Sequence, residues 1–188
     1  SVEEVRKEVK RISDEAREEI ERVLERIKEN AKRLIEDIRR VLEEIEEIIR
    51  RLEDEIRRVE LPEERVRELL ERVRDILRRV AEEIEKIEEE VKELTKRHED
   101  EIRRLLKENK DVLDEIEERA DDLRKKGGVD EDLEELLRRL ERISRESRKR
   151  LEELLKHNNK ESEEVRKRLK ELLDDVRRVV EEVRRKLK

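Results

Sequence analysis

Outside its acids, bases and aliphatics, this chain has few side chains able to do chemistry: His98 and His157, five serines, Thr95 and four asparagines, with no cysteine. Acyl transfer needs a nucleophile, a base, an orienting group and an oxyanion pocket gathered round a cleft. Ser147 or Ser162 near a histidine supplies only fragments of that set. A metal site is the second possibility, because His98 and His157 fall at one level of a folded helical chain. Structural zinc takes four ligands, and carboxylate sites in helix bundles place a Glu three residues before each His. Those two places hold Thr95 and Leu154. Glu153 and Glu161 stand four residues from His157, a spacing that more often makes helical ion pairs. Gly127-Gly128 follows a helical segment and lacks the lysine of a phosphate-binding loop. The expectation is no catalytic residue, no cofactor and no metal, and hence not an enzyme.

Composition explains why so little chemistry is on offer. The chain of 188 residues is 60% charged and 32% hydrophobic, without Phe, Trp, Tyr or Met. Such charge could mean disorder, but disordered chains lack a regular apolar pattern. Here Leu, Ile and Val recur at helical spacing, and Glu, Arg and Lys are good helix formers. The net charge of −7 is a small difference between 60 acids and 53 bases. Both signs are interleaved along the chain, so no one-sign field steers nucleic acid, and no aromatic ring is present for base stacking. Apolar runs never exceed two residues, too short for a membrane span. No signal peptide, transit peptide or lipidation motif is visible. A start at Ser1 without Met is expected of a trimmed product. The reading is a soluble protein with no native compartment, made in a bacterial cytoplasm.

Three residues punctuate the chain: Pro62, Gly127 and Gly128. Proline lacks an amide hydrogen and suits a helix start, so Leu61-Pro62-Glu63-Glu64 reads as one. Gly127 is placed to take the left-handed conformation that closes a helix after Arg124-Lys125-Lys126. Asp130 is the expected cap of the next helix, with Glu131 and Asp132 in its first turn. Ser1 and Glu4 have capping-box spacing. The helices are therefore expected at about 2–60, 63–126 and 131–187, each about 90 Å long at about 1.5 Å per residue. Connections this short make neighbours antiparallel. The predicted fold is all-α: one long up-down-up three-helix bundle over residues 1–188, rod-like, with no pocket.

The apolar stripe comes round again at every eighteenth position. In the first helix it runs 2, 5, 9, 12, 16 and again from Ile20 and Ile38; in the second it passes through Val66, Ile84, Ile102 and Ala120; in the third through Leu133, Leu151, Leu169 and Leu187. Steps of 3, 4, 3, 4 and 4 cover five turns, a period matching the straight α-helix. Heptads would instead wind a left-handed supercoil. The helices are expected to run nearly straight. The positions breaking the stripe are Asn30, His98, Asn109, Ser147, Asn158 and Glu161; the pattern offers no reason for Glu161.

Folding the helices about residues 61–62 and 127–128 gathers the uncharged polar residues at two levels. One holds Ser13, Asn109, Ser144 and Ser147; the other holds Asn30, Thr95, His98, His157, Asn158 and Ser162. An unpartnered buried polar group costs about 1–3 kcal/mol, so several at one level imply mutual hydrogen bonding. They also penalise registers that set Asn or His against Leu. His157, Asn159 and Ser162 sit off the stripe centre and are expected at the rim. A buried, neutral His98 would weaken the second level on protonation.

With these features together, the chain resembles de novo designed, parametrically generated helical bundles with built-in hydrogen-bond networks. The likeness spans the whole chain. It rests on the 18-residue rhythm, runs such as Glu43-Glu44-Ile45-Glu46-Glu47-Ile48-Ile49, the minimal Gly-Gly loop and the Asn, Ser and His insertions. Spectrin-type repeats and apolipoprotein helices fit less well, lacking this rhythm or carrying aromatics and prolines. The resemblance implies a scaffold with no natural biochemical activity and no required partner, expected as a monomer. The alternative is a helical interaction module that self-associates as a homo-oligomer or binds a helical partner.

Overall fold

The computed structural model describes residues 1–128 and 130–188, which form three α-helices and no strand: α1 (Val2–Arg58), α2 (Glu63–Lys125) and α3 (Asp130–Leu187). Each begins with acids and ends with bases, opposing the partial charges of its own termini. At the front the Ser1 hydroxyl accepts the Glu4 amide proton at 3.3 Å, while the Ser1 ammonium lies 3.6 Å from Glu4 Oε2. The capping box forms as its spacing predicts.

Two helix ends differ from expectation. α1 stops at Arg58 rather than near 60. Proline disfavours the helical conformation in the residue before it, so the helix must end ahead of Leu61, whose amide turns back to the Val59 carbonyl at 3.0 Å. Pro62 then offers its carbonyl to the Val66 amide at 3.1 Å. α2 closes at Gly127, where φ is +65°, and the Gly128 amide bonds the Leu123 carbonyl at 2.6 Å. That 6→1 bond belongs to the Schellman closure. Asp130, expected as a cap, is itself the first residue of α3; the position before it lies outside the described residues.

The chain divides into two compact units, each taking a stretch of every helix: Ser1–Glu29 with Thr95–Asn159, and Asn30–Leu94 with Lys160–Lys188. The first unit has two apolar clusters. Val5, Val9 and Ile12 meet Leu113, Ile116, Ala120, Leu133, Leu136 and Leu140 in one; Ile20, Val23 and Ile27 meet Ile102, Leu105 and Leu151 in the other. The second unit has one larger core that includes Ile45, Leu52, Ile87, Leu169 and Val176. Helix direction is legible from the contacts. In the first unit Asn109 and His98 of α2 meet Ser147 and Asn158 of α3, so α2 descends as α3 ascends. In the second, Asp37 and Glu55 of α1 meet Arg166 and Arg184, so α1 and α3 run parallel. The fold is an all-α, up-down-up three-helix bundle.

Burial refines the counted stripe. Ser162 and Val180 are buried where Glu161 and Val179 are half-buried, and Ile49 is buried in preference to Ile48. Steps of 3 and 4 both approximate 3.6, and at this point of the repeat the 4 precedes the 3. Glu161 is thereby explained: it borders the core beside the residue that enters it.

Candidate functional site

Hydrophobic burial holds these helices, so a polar side chain in the core must find its partner there. The first polar level does so through one pair. Ser147 donates its hydroxyl proton to Asn109 Oδ1 at 2.9 Å, across the α2–α3 seam, with both residues buried. Ser13 and Ser144 are half-buried at the same level and no hydrogen bond joins them to this pair. The pair lies between the two apolar clusters of its unit. The Ser147 hydroxyl proton is thus given to an amide oxygen rather than to a basic side chain.

At the second level, Asn158 Nδ2 lies 2.8 Å from His98 Nδ1, both buried. An amide NH₂ only donates, so this contact is a hydrogen bond in the His98 tautomer that carries its proton on Nε2. The His157 ring meets the His98 ring edge-on, with centroids 5.5 Å apart and planes at 66°. His157 is exposed as expected and Thr95 half-buried. Ser162, expected at the rim, is instead buried at 3% exposure, a consequence of the altered step that turns Glu161 outward. In the second unit Asn30 is half-buried. Among the described residues, every buried side-chain nitrogen or oxygen has a hydrogen-bond partner.

The surface between helices carries shallow grooves. A groove of about 300 Å³ runs along the α2–α3 seam of the first unit, bordered by Glu101, Leu105, Arg150, Glu153, Leu154 and His157. Among the described residues no group of three His, Asp or Glu is arranged to hold a metal ion. No described helix is long and apolar enough to cross a membrane.

Charged residues form a second ordered set that the sequence reading missed. In the first unit Arg148 Nε lies 3.4 Å from Glu19 Oε2. In the second, Arg166 Nε lies 3.2 Å from Asp37 Oδ2, and Arg184 Nε 2.9 Å from Glu55 Oε2. Each arginine stands one repeat of the apolar stripe beyond the last, and so does each carboxylate. The other flank of α3 repeats likewise: Arg150 Nη1 lies 2.8 Å from Glu108 in the first unit, and Arg168 Nη1 2.5 Å from Glu90 in the second. Hydrogen bonds to Glu90 and Glu55 raise the Arg168 and Arg184 pKa values above their ordinary value. The signal was available, since positions 19, 37 and 55 are all acidic and 148, 166 and 184 are all Arg. No protein-family model, curated protein or solved structure matches the chain.

Proposed function

We propose that this chain is a designed structural scaffold with no natural substrate, cofactor or required partner, in which buried polar pairs specify helix register and pairing. The observation that carries the reading is the pairing of Asn109 with Ser147 and of His98 with Asn158 inside a core that is aliphatic apart from these four residues and Ser162. A catalytic or ligand-binding centre leaves polar groups aimed at an absent molecule; these are aimed at each other. The chain acts alone as a single closed bundle of 188 residues. Light scattering coupled to size exclusion tests this: a mass near 23.2 kDa across a hundredfold range of concentration is expected. A dimer or larger species across that range overturns the solitary scaffold in favour of a self-associating module.

A further inference from the structure

Core and surface repeat with one period. Moving one repeat along α3 replaces Arg148 by Arg166 and Arg150 by Arg168, each with a carboxylate partner in the same relation. The same step carries Leu151 to Leu169, both buried. A displacement of about 27 Å, at about 1.5 Å per residue, therefore returns arginine to arginine and aliphatic to aliphatic. Neither these repeating ion pairs nor the apolar stripe distinguishes the native α2–α3 pairing from one staggered by a whole repeat; the exposed Arg139–Glu115 pair, which has His157 and Arg97 one repeat away, stands outside the series.

Within one chain the connections prevent that stagger. Four residues, 126–129, join α2 to α3, and four extended residues reach only about 14 Å. Two copies of the chain escape this limit, because α3 of one copy can lie on α2 of another. Only positions that break the repeat discriminate. One repeat from Asn109 and Ser147 stand Val91 and Val165; one repeat from His98 and Asn158 stand Val80 and Val176, all four valines buried in the second unit's core. Staggered one way, Asn109 meets Val165 and His98 meets Val176. Staggered the other way, Ser147 meets Val91 and Asn158 meets Val80. Each mismatch buries a polar group against a side chain that cannot answer it.

We propose that the competing surface is a second copy of this chain paired one repeat out of step, and that the Asn109–Ser147 and His98–Asn158 pairs exclude it. The inference rests on the register-setting role proposed above and names the register that is rejected.

The full-length chain supports a direct test. The variant H98V/N109V/S147V/N158V places at these positions the residue found one repeat away. Two cysteine reporters are added in separate samples: E90C with R168C for the native pairing, and E90C with R150C for the staggered one. Positions 150 and 168 are equivalent in the repeat, so a short bis-maleimide linker that joins one pair can join the other. After refolding from denaturant, the original core should close 90–168 within one chain and give only background 90–150 dimer. The valine core should raise covalent 90–150 dimer at least tenfold and shift the scattering mass toward two chains. If 90–168 closes in the valine core while 90–150 dimer stays at background, the proposal falls; equal 90–150 dimer in the original core also defeats it. The double variants H98V/N158V and N109V/S147V, each retaining one polar pair, should give intermediate yields, and unchanged yields in both count against it. A wild-type mass above one chain refutes the solitary scaffold without altering this crosslinking comparison.

Discussion

The Ser147 hydroxyl and Asn109 Oδ1 stand 2.9 Å apart in a seam where the two residues are only 6% and 8% exposed. A pair so enclosed gains little as a hydrogen bond, but losing one member leaves the other stranded. Ser147→Ala should therefore cost about 1–3 kcal/mol in denaturant unfolding. Replacing both residues by valine should recover most of that loss, since apolar groups then fill the seam. A double variant no more stable than the worse single one would refute the pairing energetics.

Core and surface should differ sharply in weight. Leu52 is fully buried, and Leu52→Ala should cost about 2–5 kcal/mol through lost transfer energy and the cavity left behind. Arg184 and Glu55 are 34% and 44% exposed, and Arg184→Ala should cost less than about 1 kcal/mol. Half-molar salt should shrink the Arg184 effect and leave the Leu52 effect nearly unchanged.

Acid should destabilise the fold in two steps. His98 is buried with its Nδ1 2.8 Å from Asn158 Nδ2; burial disfavours the charged ring, whereas the unfolded ring takes up a proton below its ordinary pKa of about 6.5. The unfolded state then binds more protons, and stability falls as pH drops from 7 toward 5. His98→Asn should remove this step; an unchanged pH profile would show that it does not arise at His98. A smaller step follows below the ordinary carboxyl value of 4.5. Hydrogen bonds from Arg11 to Glu8 and from Arg50 to Glu47 hold those carboxyls below it, and their contribution is lost as pH falls through the lowered values.

The α2–α3 turn is intolerant for two separate reasons. Gly127 has φ +65° with nothing near its missing side chain, so Gly127→Ala should cost about 1 kcal/mol in backbone strain and Gly127→Asn less. At Gly128 an added Cβ would fall 2.7 Å from Leu123 Cβ and 2.9 Å from its carbonyl oxygen. Gly128→Ala should therefore be the costlier of the two alanine changes in thermal melting, and the reverse order would contradict the packing described.

How far the chain could be read in advance depended on what each signal measured. Periodicity reports which face is apolar, and it located three helices and most of the core from Val5 to Val183. It resolves a turn only to the nearest residue, so it counted Glu161 inward and left Ser162 at the rim. Helix ends depend on single bonds: Pro62 drew α1 back to Arg58, a constraint on the preceding residue that apolar spacing does not contain. The polar levels were visible as numbers folded about two loops. Which atoms pair within a level depends on side-chain reach, and Ser13 and Ser144 do not join Asn109. The arginine series carries the same period as the apolar stripe, but it lies among charged positions so dense that apolar periodicity does not single it out.

That shared period makes helix length come in steps. A stretch inserted at matching places in all three helices keeps every apolar face and every guanidinium aligned only when it adds one whole repeat, five full turns, to each. An insertion of seven or eleven residues would rotate the downstream faces by about 20°, and the misfit would accumulate with each further insertion. The bundle can thus be lengthened or trimmed by whole graduations without altering the pattern of its interior, in the way a rule is cut at its marks.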